Sequence, residues 1–514
     1  MKSQPRELEI KLELTTEQVR RLGAWMRSAG PTQPRSEILR STYFDTIDRS
    51  LRAKGLAFRV RRIGDTWVQT LKADRAIDGG VSNPIELEAE IECGEPSIDA
   101  IEDKKLRRKV ERCAAASPLV AMFDTVVERT SLRLTTGRDD IEIALDVGTV
   151  RAGSESETLR EAEIELKAGS PVALLAIARE ITSKGPMRPS REGKADRGYR
   201  LLGEKPPLPI EAPKSLLPAI TPGMTSGAAI REICRTTGAT ILRNWQLLEG
   251  QDDAEAAHQL RVALRRLRSA LRILRSAYDD KRLRELCIAV RDLGRAVGRL
   301  RDMDVLMSEI VEPLAGAEHV AEGIAILRRG LTRERKARRV EVVAALQASQ
   351  LGIIRLEVGL LPHIVDDLAD ANPKQLSRPV EDLAGKALRK FVGRVMKRGR
   401  DLQELTIEQR HELRKAIKPL RYSVEFFAPL YPRANTRRVL ACAAELQITL
   451  GYLNDVALAE GLLELKWPPG KAREADAVRA NGAVIGWHAA RAEQAWGEVK
   501  SSWRKFERAA QFLA

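Results

Sequence analysis

Two hydrophobic periods share this chain. Up to about residue 200, apolar and charged positions alternate one by one in short runs; from Thr225 onward apolar residues recur every three or four positions. Strands send successive side chains to opposite faces, whereas a helix returns to one face about every 3.6 residues, so the first pattern predicts strands and the second helices. The strand runs cover 7–11, 38–44, 57–62, 67–72, 85–91, 126–134, 141–146 and 161–167, with a hairpin turn at 63–66. Helices are expected at 15–29, capped by Thr15 or Thr16, at 98–113 and at 172–184. Eight or so antiparallel strands with a charge at every second position predict a barrel with a polar lumen.

The charges on that face have a pattern of their own. Glu7, Glu9 and Lys11 point one way, and Leu8 and Ile10 the other. Two carboxylates about 7 Å apart on one wall suit a small hard cation, and a lysine beside them suits phosphate. For any single run, a strand with one wet face explains as much. The repetition changes this: acids recur at Glu86, Glu88, Glu90, Asp146, Glu161, Glu163 and Glu165, and bases at Arg59, Arg61, Lys72, Arg129, Arg133 and Lys194. Burying so many charges requires matched signs, or a metal and an anion to complete the set.

Composition divides the chain in the same place as the periods do. The net charge is +15, yet residues 1–220 hold 37 basic against 35 acidic side chains, and residues 221–514 hold 50 against 37. The second part therefore expects a polyanion. Five scattered cysteines without a CxxC give no zinc signature and fit free thiols in a reducing cytoplasm. No run of 18 apolar residues and no leader-like h-region is present, so neither a membrane partner nor export is expected.

The ExExK opening, the FRVRR strand, TLK, the ExExE strand, the late aspartate, EIEL and the KxxRGY run together resemble the CYTH superfamily of triphosphate tunnel enzymes over roughly residues 1–203. That resemblance implies an eight-stranded tunnel holding a triphosphate with Mg²⁺ or Mn²⁺. It implies metal ligation by Glu7, Glu9, Glu163 and Glu165, with Glu7, Glu9 and Lys11 the catalytic positions. Phosphate would be bound by Lys11, Arg59, Arg61, Lys72, Arg129 and Lys194, and Glu86, Glu88 and Asp146 would be further tunnel acids. Two departures stand out: Asn83 and Pro84 replace an arginine common before the ExE strand, and Ser131 replaces a second base, with Arg133 able to substitute on the same face.

Six prolines within residues 203–222 mark a semi-stiff connector, placed at 204–222, between a domain at 1–203 and one at 223–514. The second domain repeats itself. HQLRVALRRLR from His258 and HELRKAIKPLR from His411 stand 153 residues apart, and so do the segments ending at Asp302 and Asp455, giving copies around 225–370 and 380–514. On a helix, His258, Arg261, Arg265, Arg268 and Arg272 form one stripe, and Leu260, Leu264, Leu267, Leu271 and Leu274 another. His411, Arg414, Lys418 and Arg421, with Lys415, repeat the basic side; Leu413, Ile417, Leu420, Val424 and Phe427 repeat the apolar one. The apolar stripe is core. The basic stripe has no acidic partner four residues on in either copy before Glu425, so it is not a face laced with ion pairs.

These motifs resemble the CHAD family, the conserved-histidine α-helical domain, over roughly 221–514. The resemblance implies a pseudo-symmetric helical bundle with a basic groove for inorganic polyphosphate, in which the 301–305 run orients the bases. The chain reads as multidomain α+β: an eight-stranded antiparallel β tunnel with flanking helices, then an all-α helical bundle with an internal two-fold repeat. The expected function is metal-dependent hydrolysis of inorganic triphosphate, with long-chain polyphosphate held by the second domain. Thiamine triphosphatase, adenylate cyclase and a non-catalytic tether stay open as alternatives. Aromatics at 4%, none of them interleaved in the basic stripes, argue against a nucleic-acid partner.

Overall fold

A computed structural model of the chain describes residues 6–183, 185, 187–203, 211–278, 280–464 and 471–513. Residues 204–210 of the expected connector, and the side chains at 453–455 in the second copy's LND run, lie outside the described residues. The chain forms two compact units, Met1–Leu208 with Gln347–Asp367, and Pro209–Leu346 with Leu368–Ala514.

In the first unit the alternating runs become one curled antiparallel sheet. Its strands are β1 (Leu8–Glu13), β2 (Arg35–Thr46), β3 (Ala57–Ile63), β4 (Thr66–Ala73), β5 (Val81–Ser82), β6 (Ile85–Ile91), β7 (Leu119–Thr136), β8 (Asp139–Ala152), β9 (Glu155–Ala168) and β10 (Arg188–Pro189). There are ten strands, not the eight expected, because β5 and β10 have two residues each and two residues show no alternation. The order is β10-β1-β9-β8-β7-β2-β3-β4-β6, with β5 also paired to β1. The curl brings its two ends together: Arg6 bridges to Ile85, and the Glu7 N–H donates to the Pro84 carbonyl at 3.2 Å. Arg6 also donates to the Asn83 carbonyl at 2.8 Å, so the 83–84 departure sits in this seam.

The dry face of the sheet is covered as the pattern requires. Ile10 and Leu12 are fully buried, as are Leu174, Ala178 and Ile181 of the helix Pro171–Ser183. Thr15 caps the helix Thr16–Met26 through a reciprocal box with Gln18. The helix expected from residue 98 begins instead at Lys104, because Asp103 caps the 105 and 106 amides and Ile98 to Ile101 close a turn first. A short helix, Lys194–Leu201, closes on the sheet at Gly198, where a Cβ would lie 2.2 Å from the Phe123 ring. Only glycine permits that approach. It sets Lys194 at the lumen while the Tyr199 hydroxyl donates to the buried Asp45 at 2.6 Å.

The second unit is helical. Its first copy contains Ser226–Gly250, Ala254–Ala277 and Lys281–Val305, and its second contains Val380–Arg398, Ile407–Phe427 and Arg433–Glu460. Ala254 and Ile407, the first residues of the two basic helices, stand at the 153-residue offset of the repeat. Both apolar stripes are core, with Leu260, Leu267, Leu271, Leu413, Ile417 and Leu420 fully buried. The two basic helices are tied by the buried Arg266 pairing with the half-buried Glu425, and the Arg266 guanidinium lies 4.8 Å from the Phe426 ring. Among the described residues no single helix is long and apolar enough to cross a membrane.

Candidate functional site

The lumen of the sheet is a cavity of about 240 Å³. Glu7, Glu9, Lys11, Arg59, Arg61, Lys72, Glu86, Glu88, Arg129, Glu163, Glu165 and Lys194 line it, so the alternation sorted the two faces correctly. Asp146 and Glu161 lie beneath that lining, fully buried, where they hold Lys194.

Strand register explains how the charges sort. Glu9 faces Glu165 across β1 and β9, and Glu165 faces Glu142 across β9 and β8, so three carboxylates stand in one row. Like charges directly opposed are unfavourable. Burial, then Glu9 and Glu142 against the relief given by Lys167, raises the Glu165 carboxyl above its ordinary range. Glu7 is raised too, by burial first and then by its hydrogen bond to Glu86 and the Glu86 charge. Glu86 goes the other way despite burial, because Lys72, Glu7 and Arg59 stabilise its anion. Crowding along this rim of Glu7, Glu9, Glu142 and Glu165 thus disfavours ionisation of Glu7 and Glu165, and a divalent cation with oxygen ligands would favour it.

One row deeper, the signs are matched. Lys11 bonds Glu9 at 2.9 Å and also Glu163. Lys194 bonds Asp146 at 2.7 Å, Glu163 at 2.9 Å and Glu161. Arg129 grips Asp146 with two bonds of 2.8 and 2.7 Å and reaches Glu163 as well. Although burial opposes it, Lys11, Lys194 and Arg129 together hold the Glu163 carboxyl well below its usual range. Asp146, Glu161 and Glu163 place oxygens within 4.8 Å of one another, but Lys194 and Arg129 already thread that trio. Glu163 is thus neutralised by three bases, whereas the Glu7 and Glu165 carboxyls are raised.

Opposite the rim, bases outnumber acids. Arg59 reaches Thr70 at 3.1 Å and lies 3.5 and 3.6 Å from Glu86 and Glu88. Arg61 donates to Ser41 at 3.0 Å and has no carboxylate partner among the described residues. Burial, then Arg59 and Arg129, push it down to about 10. Arg61 therefore stays charged while crowded by other bases and without a carboxylate partner, an arrangement that an anion would relieve.

Some lumen residues escaped the sequence reading. Lys167 and Glu142 carried a signal, since they share faces with Glu165 and Asp146 by the period of two. Tyr43, Thr70 and Ser82 are neutral, and Arg75 follows β4 in a loop, so no charge ladder marks them. Arg133 corrects an expectation: it is 64% exposed, pairs with Asp140 at 2.8 Å and does not line the cavity. It does not stand in for the base absent at Ser131.

The second unit has a groove of about 660 Å³ between its basic helices, lined by Arg261, Arg265, Arg268, Arg272, His411, Arg414, Lys415 and Lys418. His258 and Arg421 are not in that lining; Arg421 turns to Gln447 and Glu425. Arg291, Arg295 and Arg299 on Lys281–Val305 join it, and their spacing of four was a legible signal. Asp302 orients Arg261 at 2.6 Å, as expected of that run. Arg265 and Lys418 make no ion pair among the described residues. Burial, then Arg265, Arg414 and Arg261, push Lys418 down to about 6. His258 and His411 are also lowered, by burial first and then by Arg301 and Arg265 for the one and Lys415 and Arg414 for the other. His488, set aside as ordinary, is a core residue bonded to the Ile310 carbonyl at 3.0 Å.

Comparison with known proteins comes to the same two regions. The inorganic triphosphatase of Haemophilus influenzae is 26% identical over 200 residues, covering 39% of this chain and 55% of that protein, so the chain spans about half the length of this curated relative. Among solved structures, the CHAD domain from the plant Ricinus communis shares 24% identity over 57% of this chain and 96% of its own, with a TM-score of 0.48. A putative adenylyl cyclase from Hippeastrum, described as having a dominant triphosphatase activity, shares 23% over 40% of this chain and all of its own, with a TM-score of 0.31. The family matches cover residues 5–199 for the CYTH domain and 232–464 for the CHAD domain. The chain carries a CYTH domain followed by a CHAD domain.

Proposed function

We propose that the lumen hydrolyses inorganic triphosphate with Mg²⁺ or Mn²⁺, and that the groove of the second unit binds long-chain polyphosphate. One observation carries the first half: six bases, Lys11, Arg59, Arg61, Lys72, Arg129 and Lys194, converge on a cavity of about 240 Å³ that Glu7, Glu9, Glu142 and Glu165 also line. A compact, highly charged anion bound together with a cation balances both sides at once. Glu7, Glu9 and Glu165, with Glu142 beside them, would hold the metal. When bound, it would offset phosphate charge and polarise the bond to be broken. Arg59, Arg61 and Lys72 then meet phosphate oxygens with charges already fixed in place. Lys11, Lys194 and Arg129 are held in place by Glu163, Asp146 and Glu161, so they are aligned before the anion arrives.

The related Haemophilus influenzae triphosphatase supports hydrolysis over simple tethering. Convergence of Arg261 and Arg265 with Arg414 and Lys418 supports polyanion binding by the groove, and Tyr422, the one aromatic lining it among the described residues, gives bases little to stack on. All five cysteines are free thiols, in keeping with a cytoplasmic setting. The test is hydrolysis by the full chain beside Glu7→Gln and Glu9→Gln. Loss of activity in both variants, with unfolding curves like the parent's, is expected; parental activity at saturating metal removes the rim from the reaction.

A further inference from the structure

The tunnel is not built from residues 1–203 alone. A helix encoded about 150 residues later, Ser349–Ala371, gives its residues up to Asp367 to the same compact unit, although they fall inside the 232–464 CHAD match. Leu356, Leu360 and Val365 are fully buried. Glu357, 4% exposed, pairs with Arg179, and Asp367 accepts from Ser170 at 2.7 Å.

One face of this helix presses on the turn before β5. A Cβ on Gly359 would lie 2.6 Å from the Asp78 carbonyl oxygen, and one on Gly80 would lie 3.1 Å from Leu356. Gly80 holds φ +93°, a conformation that glycine adopts without strain. Its carbonyl accepts from the Lys11 amide at 2.7 Å, and two residues on the Ser82 hydroxyl donates to Glu9 at 2.8 Å. Each contact is direct: helix to turn, turn to Lys11 and Glu9.

We propose that this downstream helix positions Glu9 and Lys11, and that Gly359 is its positioning residue, where the helix backbone comes close to the 78–81 turn. The proposal rests on the reading of the lumen as a metal-dependent triphosphate site. Gly359→Ala is the test, made in the full chain. Alanine is the better helix former, so any loss comes from the new methyl meeting Asp78. Gly352→Ala in the same helix is the control, because its nearest neighbours are 3.5 Å away or more.

For Gly359→Ala, faster hydrogen exchange at the Lys11 amide is expected. So is a roughly tenfold rise in the Mn²⁺ needed for half-maximal triphosphate hydrolysis, the scale seen when a ligand loses an outer partner. kcat at saturating metal should hold. A role in stability alone would lower Tm and leave the metal requirement unchanged. Exchange and metal requirement equal to those of Gly352→Ala overturn the proposal. If the parent hydrolyses no triphosphate, the functional reading fails while the Lys11 exchange still decides the positional link. Should Gly359→Ala not fold, Leu356→Ala, which withdraws support from Gly80, is read by the same exchange.

Discussion

Lys418 offers the sharpest perturbation in the groove. Its ammonium is buried among Arg265, Arg414, Arg261 and Arg421, and this pushes it down to about 6, so in the free protein it is roughly nine-tenths neutral at pH 7. A polyphosphate in the groove replaces that repulsion with attraction and favours the charged form. The sign follows: binding takes up protons, and affinity rises as pH falls toward 6 and levels off below it. From Lys418 alone, uptake should be about 0.9 proton per site at pH 7 and about 0.1 at pH 5, with affinity rising by up to about tenfold per pH unit between 8 and 6. His258 and His411, both lowered, add a smaller uptake at the acid end. Calorimetric titration with polyphosphate in two buffers of different ionisation enthalpy reads the uptake directly. Lys418→Arg, which stays charged, should abolish most of the pH 7 uptake. Uptake below about 0.3 at pH 7, or equal in parent and Lys418→Arg, refutes the reasoning.

Two other outcomes follow from the second unit. Replacing Arg261, Arg265, Arg414 and Lys418 by alanine together should remove most polyphosphate affinity. At about 0.7 per neutralised phosphate, it should also flatten the slope of log affinity against log salt by about 3, measured by titration at four salt concentrations. Glu425→Ala should cost about 3 kcal/mol in denaturant unfolding of that unit, because it strands Arg266, a guanidinium 4% exposed, without its carboxylate.

What could be read in the sequence was what period alone determines. A spacing of two puts Glu7, Glu9 and Lys11 on one face wherever β1 pairs, and a spacing of three or four does the same for Arg261, Arg265 and Arg268. Register is a long-range property, so the Glu9–Glu165–Glu142 row could not be read from local pattern. For the same reason the sequence could not show that three bases, Lys11, Lys194 and Arg129, surround Glu163. Arg133 shows the limit of parity: it is on the correct face, yet β7 is 18 residues long and carries it out to Asp140. The helix Ser349–Ala371 has an ordinary apolar pattern, and nothing in that pattern says which unit it packs on.

The measurement that bears most directly on the central claim is a comparison of kcat/KM for inorganic triphosphate, ATP, thiamine triphosphate and pyrophosphate. It should be made on the full chain, with Mg²⁺ and with Mn²⁺. Charged side chains dominate the lumen, and Tyr43 is the one aromatic lining it among the described residues. Triphosphate should therefore exceed each of the others by at least about tenfold, with activity lost on chelation of the metal. Comparable kcat/KM for ATP with cyclic AMP as the product, or no turnover of any of the four with either metal, would contradict the account.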